Sequence, residues 1–344
     1  MRYWVGVGFT ATILALLPLT VGRNELWTGQ REELRTVSQI LQAVWTGNEE
    51  IQDLKWEMDA HFFSARLPAV WLTVHCALKK PDKLRLWIAS RRTHPDAWDD
   101  FQHKVGMVLI LNGHLLIRYQ PFFEKVLLTD LSAPLPPAQD FTYGGPGAMP
   151  NIAPYVQDLL QVASWKNDRN VRLLGRETID GVPCYVLEWQ YARPLRMHEP
   201  HAIHAVRRWI DTEKFVLRRA VMFTAQGQGV RVTTFSHLTQ VKENVWASLH
   251  SETVVQPGTV RARRLMFVRR NEGSTQKETW ETEVPFTGRK IVRDFQLLEG
   301  KARVPTQILV YDDEGRVLSK RTFYNYQLNT GLPDSLFEYI PFAE

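Results

Sequence analysis

The residues best suited to chemistry fall into small groups. His198, His201 and His204 recur at three-residue steps. Three imidazoles could share a divalent cation if the backbone brought them together. Pro200 interrupts the helix that would align them, and His204 opens a strand-like run. The stretch therefore reads as a polar loop with solvated histidines, and no metal is expected. His75 and Cys76 are adjacent, but no nearby acid would orient the imidazole, so the pair reads as core packing. The two cysteines, Cys76 and Cys184, each lie in a strand-like run. In an exported protein they either pair across a sheet or stay as two buried thiols. The sequence has no Gly-rich phosphate loop, H-E-x-x-H, G-x-S-x-G or C-x-x-C. Neither an enzyme nor a cofactor is expected.

Composition narrows the class further. An apolar content of 44% and a charged content of 23% are ordinary for a globular protein. The net charge of +5 is modest and scattered, whereas a nucleic-acid binder gathers its excess on one face. The densest basic run, Arg261, Arg263, Arg264, Arg269 and Arg270, has Glu272 and Glu278 beside it. It reads as an edge strand with solvated charges, and no nucleic-acid partner is expected. At the N-terminus Arg2 precedes an apolar run over 5–19, then Thr20, Val21 and Gly22. That order predicts a signal peptide over 1–22 and an exported, periplasmic protein; an uncleaved anchor is the alternative. The run contains Gly6, Gly8 and Pro18 and is short for a membrane span.

The elements that must carry any site are mostly strands. Leu34, Val37, Leu41 and Val44 recur at three- and four-residue steps, predicting an amphipathic helix over 32–45 that stops near Gly47. Leu54, Trp56, Met58, Ala60 and Phe62 alternate with polar residues, the pattern of a half-buried strand. Strands follow over 70–78 and 83–89, then a polar loop over 90–103. Asn112-Gly113 between two apolar runs is the strongest hairpin signal in the chain. Nine Pro and Gly residues over 133–154 mark a linker or flap, and 155–165 reads as a short helix. Asp180-Gly181 marks another hairpin. Further strands are expected over 245–255, 260–268, 278–284, 290–298, 304–311 and 316–328.

The centre of the chain, 204–235, reads as three strands joined by Asp211-Thr212-Glu213 and by a Gly-rich turn over 225–229. Strict alternation puts Phe215, Leu217, Val221 and Phe223 on one face. Arg219 then falls among them, where a charge is costly unless it is paired or the face opens to solvent or a headgroup. The order of elements predicts an α+β, mainly antiparallel protein, with a curved sheet wrapped on a few helices.

Several segments resemble one family in order. Leu78-Lys79-Lys80-Pro81-Asp82-Lys83-Leu84-Arg85-Leu86 is similar to its "KRP-x-x-F/L-R/N-W" turn. Residues 111–125, from Leu111-Asn112-Gly113 to Glu124-Lys125, resemble its "DG-K-x-L-W-x-Y-x-P-x-x-E-Q" hairpin. Trp209-Ile210-Asp211-Thr212 and 329–339 resemble its later strands. The family is the periplasmic outer-membrane lipoprotein carrier (LolA-type) superfamily, which includes LolB, LppX and the sigma-E regulator RseB.

That resemblance implies an incomplete β-barrel, or half-barrel, over 23–344, with extra strands at roughly 245–300. It implies an apolar face that holds the acyl chains of a lipid or lipoprotein, with membrane-bound donor and acceptor proteins as further partners. The candidate lining is Trp56, Met58, Phe62, Trp87, Leu109, Ile117, Tyr119, Phe215, Leu217 and Phe223. Lys80 stands where carriers place an Arg that bonds the lid, and lacks that residue's planar donors. Lys80 and Arg219 are the candidate lid or headgroup contacts. The chain's length is closer to the sigma-E regulator type, which implies the alternative of a periplasmic sensor that binds an anti-sigma factor.

Overall fold

The computed structural model describes residues 36–47, 49–63, 70–93, 106–120, 125–130, 170–196, 201–267 and 277–338. The expected signal peptide, the flap over 133–154, the helix over 155–165 and His198 lie outside them. The residues from Thr36 onward cluster as one unit.

Helix α1 spans Val37–Ala43, within the expected 32–45. Its start is fixed by a capping box: Thr36 Oγ1 accepts from the Gln39 N–H at 3.3 Å, and Gln39 Oε1 accepts from the Thr36 N–H at 2.8 Å. The helix ends at extended Val44, three residues before Gly47. Gly47 has φ +84°, and a side chain there would collide with Arg303. Its carbonyl accepts the Arg303 N–H at 2.6 Å, which ties the helix exit to the sheet.

The first six strands are β1 (Asp53–Phe62), β2 (Val70–Lys79), β3 (Lys83–Thr93), β4 (Val108–Asn112), β5 (Leu115–Gln120) and β6 (Lys125–Asp130). The next six are β7 (Val171–Ile179), β8 (Val182–Arg196), β9 (Ala202–Asp211), β10 (Leu217–Phe223), β11 (Gly229–Lys242) and β12 (Val245–Val255). After β13 (Gly258–Phe267) and β14 (Lys277–Phe286) come β15 (Arg289–Leu298), β16 (Ala302–Tyr311) and β17 (Val317–Leu328). Fifteen strands form one sheet in the order β6-β5-β4-β3-β2-β1-β17-β16-β15-β12-β11-β10-β9-β8-β7. Among the described residues β6 and β7 do not pair with each other, so the sheet is open. Every pairing is antiparallel, and most joins are local hairpins. The two long-range joins are β1 with β17 and β12 with β15. The stretch at 245–300 divides: β12 and β15 belong to the large sheet, while β13 and β14 pair as a sheet of their own.

The turns follow their chemistry. At the β7–β8 hairpin Asp180 and Gly181 both have positive φ, 49° and 79°, as a tight two-residue loop needs. At the β4–β5 hairpin the loop is Gly113-His114, because Asn112 still pairs with Leu115; the turn sits one residue later than the Asn-Gly signal suggests. At the end of β9 the Asp211 carboxylate accepts the N–H groups of Glu213 (3.0 Å) and Lys214 (2.9 Å).

One open alternative is decided and one expectation is corrected. Cys76 and Cys184 are both free buried thiols, the second of the two readings. Cys76 lies in β2 and Cys184 in β8, with eight strands between them in the sheet order. Burial pushes both thiols up, Cys184 to about 11. The correction concerns the single face for the central strands. The β9–β10 register shifts between Leu217 and Arg219, a bulge that reverses the side-chain alternation. Leu217 therefore packs with Tyr185, Leu187 and Ile210, while Val221 and Phe223 pack with Val186 and Trp209. Phe215 precedes β10, with φ +48°.

Candidate functional site

The alternation read in β1 puts Trp56, Met58 and Ala60 on one face, each at most 2% exposed. Neighbouring strands continue that face with Leu72, Val74, Cys76 and Leu78 of β2 and Leu84, Leu86 and Ile88 of β3. On the other side it takes in Phe323 of β17, Val304 and Ile308 of β16, and Ile291 of β15. Each large side chain buried here contributes about 1.5–3 kcal/mol relative to exposure. The register carries the same face further: Val310, Ile291, Thr253, Thr233, Ala220, Arg208 and Leu187 are successive cross-strand partners. Leu187 is where Ile40, Leu41 and Val44 pack. Helix α1 therefore covers the β8–β9 part of this apolar face.

Negative charge keeps to one of the two faces. On β1, β2, β7–β12 and β15–β17 the carboxylates are Asp53, Glu57, Asp59, Glu177, Glu188, Asp211, Glu252 and Asp294. All of them fall on the opposite, polar face by register, and each has partners there. Asp59 accepts from Thr73 (2.8 Å) and Tyr324 (3.1 Å). Glu188 is held by Arg172 and Arg207. Burial pushes the Glu188 carboxyl up, but the Arg207 and Arg172 guanidiniums outweigh it and hold the group below the usual range. Asp294 meets His250 Nδ1 at 2.7 Å.

Arginines do reach the apolar face. Arg176 lies over the Tyr185 ring at 5.0 Å and Arg208 over Trp189 at 4.4 Å. Arg293 donates to Thr253 Oγ1 at 2.9 Å. Arg321 differs. Its register partners are Ala60 on β1 and Ile308 on β16. Its Nε is buried without a hydrogen bond, and it has no partner among the described residues. Burial pulls this guanidinium below its ordinary value, with no carboxylate opposing the shift. The Trp56 Nε1 donor is also buried and unbonded.

The sequence-expected residues distribute as follows. Trp56, Met58, Phe62 and Leu109 share the apolar face. Leu217 and Phe215 join its α1-covered part, with the Phe215 ring 6.4 Å from Tyr185. Trp87, Ile117, Tyr119 and Phe223 belong to the polar face. Trp87 is 43% exposed and stacks on His75 at 5.1 Å. Ile117 packs with Ala77, Ile110 and Phe337. Arg219 follows Phe223 across the bulge and lies over Trp209 at 5.6 Å; its Nε makes no hydrogen bond. Lys80 is half-buried; burial lowers its pKa and the nearby Glu49 carboxylate opposes that. His201 bonds the Pro257 carbonyl at 3.0 Å, and no metal-binding cluster occurs among the described residues. Sequence reasoning missed Arg321. Its signal is the alternation Ser319, Arg321, Phe323 in β17, which puts an arginine on the Phe323 face.

The polar face of β2–β5 is strapped by the chain's last described segment. Asp53 accepts the N–H groups of Thr330 and Gly331, each at 2.9 Å. Lys79 and Lys83 hold Asp334 at 2.6 and 2.9 Å, and Arg85 donates to the Leu336 carbonyl at 2.8 Å. A 3-10 helix, Asp334–Phe337, then buries Phe337 completely. Elsewhere a groove of about 680 Å³ opens where β13 and β14 leave the sheet. It is lined by Glu252, Val254, Lys290, Tyr311 and Asp312. Glu252, Lys290 and Asp312 put charges into a lining that also holds Val255, Pro257 and Val292, whereas the Trp56 face receives no carboxylate from the strands described above.

A family model described as "Uncharacterized protein" matches residues 155–259. No curated protein matches this sequence. Among solved structures, the chain is similar to a DUF1329 family protein from Desulfovibrio piger, at 12% identity and a TM-score of 0.44, covering 88% of this chain and 94% of that one. It is similar to a LolA superfamily protein from Nitrosomonas europaea, at 14% identity and a TM-score of 0.40, covering 89% and 99%. A Vibrio parahaemolyticus domain classed with outer membrane lipoprotein-sorting proteins matches at 11% identity and a TM-score of 0.39, covering 88% and 94%. Its structural neighbours include LolA-superfamily proteins.

Proposed function

We propose that this chain is a non-enzymatic, exported binding protein that shelters the acyl chains of a lipid or lipoprotein on the Trp56 face, in the sorting of lipoproteins through the periplasm. One observation carries the reading: a broad apolar face, continuous from β3 to β15, receives no carboxylate from the strands whose acidic residues are placed. Acyl chains need such a surface, and each sheltered methylene contributes about 0.8 kcal/mol. Two donors on this face, Trp56 Nε1 and Arg321 Nε, are buried without a hydrogen bond, and the polar end of a ligand would satisfy them.

The test is native mass spectrometry and solvent extraction of the protein purified without detergent, followed by titration with a fluorescent triacylated lipopeptide. Retention or uptake of acylated ligand is expected, with loss of uptake on Met58→Asp in a variant that keeps the β circular-dichroism signal. A folded protein that neither retains nor takes up acyl chains overturns the reading.

A further inference from the structure

Arg321 lies on the apolar face, and the described residues supply it no partner. Its surroundings are set by the register. Ala60 and Ile308 flank it across the sheet, and Ser319 and Phe323 flank it along its own strand. Met58 and Phe323 are each at most 4% exposed. The nearest acidic residue in the register is Asp59, which turns to the other face and is taken by Thr73 and Tyr324. A guanidinium in apolar surroundings is costly unless an anion meets it, and here the sheet has sent its anions elsewhere. Arg293, across Ile308 from Arg321, adds a second positive charge to the same patch. Thr253 and Ser251, both at most 2% exposed, bring hydroxyls to that side.

Resting on the acyl-binding reading above, we propose that the ligand is an anionic amphiphile. Its phosphate or carboxylate meets Arg321, and its acyl chains lie along the Trp56 and Met58 side of the face. The planar guanidinium can give an oxyanion two parallel hydrogen bonds, including one from the Nε that now has none. The cation thus sets headgroup charge, while the apolar strands accept chains of varied length.

The experiment measures affinities of delipidated full-length mature protein for four probes matched in acyl composition where chains are present. They are dioleoyl phosphatidylglycerol, oleate, neutral monoolein and inorganic phosphate. The wild type is expected to prefer the anionic amphiphiles over monoolein by about 10–100-fold, the worth of one or two charge-assisted hydrogen bonds. Phosphatidylglycerol and oleate separate a phosphate site from a carboxylate site, and free phosphate alone is expected not to bind. Arg321→Met should bring the anionic and neutral affinities together, and Arg321→Lys should restore part of the preference. Lys320→Met, which removes the adjacent cation on the polar face, should leave the wild-type ratio. Equal affinity of the wild type for charged and neutral amphiphiles overturns this inference while acyl binding stands. So does an unchanged preference in Arg321→Met, or free phosphate binding as tightly as the lipid. If no amphiphile binds at all, the acyl-binding reading fails and takes this one with it.

Discussion

Arg321→Met is expected to make the ligand-free protein more stable, although it deletes a native side chain. The gain can be worked from the surroundings. The buried Nε–H has no acceptor, and an unsatisfied buried donor costs about 1–3 kcal/mol. Met keeps most of the stem that packs beside Ala60 and Ile308, and its flexible thioether fills irregular space. The residue as a whole is half-buried, so only part of the penalty is recovered. A gain of about 1–2 kcal/mol follows. Urea unfolding followed by tryptophan fluorescence should show a higher midpoint at an unchanged slope. Arg218→Met is the control with the opposite sign. Arg218 bonds Asp211 at 2.7 Å, and the Asp211 side chain is 3% exposed. Removing the cation strands a buried carboxylate, which retains its Glu213 and Lys214 N–H bonds, so a loss of about 2–3 kcal/mol is expected. A loss above about 1 kcal/mol for Arg321→Met would refute the reasoning, because it would show that the guanidinium is satisfied in the ligand-free state.

The remaining predictions concern the strap. Phe337→Ala removes a completely buried ring from the Ala77, Ile110 and Ile117 cluster and should cost about 3–4 kcal/mol of docking. Because the segment can open alone, the loss should appear as faster amide exchange over 332–337, and unchanged exchange would count against it. The Lys79 and Lys83 ammonium groups lower the Asp334 carboxyl from 3.8 to about 2. A depressed folded pKa gives a contribution fully present above about pH 4 and lost as pH falls through about 2. Carboxyl ¹³C shifts should place that titration near 2, and a midpoint near 3.8 would mean that the two lysines do not hold it.

The sequence by itself determined where the chain is extended and where it turns. Alternation at Leu54, Trp56, Met58, Ala60 and Phe62 marked β1, and all five face one side as that period requires. Asp180-Gly181 and Asp211 placed their turns because left-handed backbone and side-chain capping are local properties. In β1, β2, β7–β12 and β15–β17 the absence of carboxylates from one face was also written in the alternation. It became visible only when the strands were assembled.

Tertiary structure decided everything that depends on register and on partners distant in sequence. Alternation is exact only until a bulge intervenes. The shift between Leu217 and Arg219 sends Leu217 and Phe223 to opposite faces, and no residue type there announces it. Trp87 and Ile117 are as apolar as Leu109, yet the pleat turns them to the face that His75 and the strap occupy. Cys76 and Cys184 looked alike as pairing candidates until sheet order set eight strands between them. Arg321 is one basic residue among 42 in the sequence. Pairing of the first strand with the last put Ala60 on one side of it, the β16–β17 hairpin put Ile308 on the other, and together they leave it without a counter-charge among the described residues. The energy of a charge is fixed by its surroundings, and in an antiparallel sheet those come from neighbouring strands hundreds of residues away along the chain.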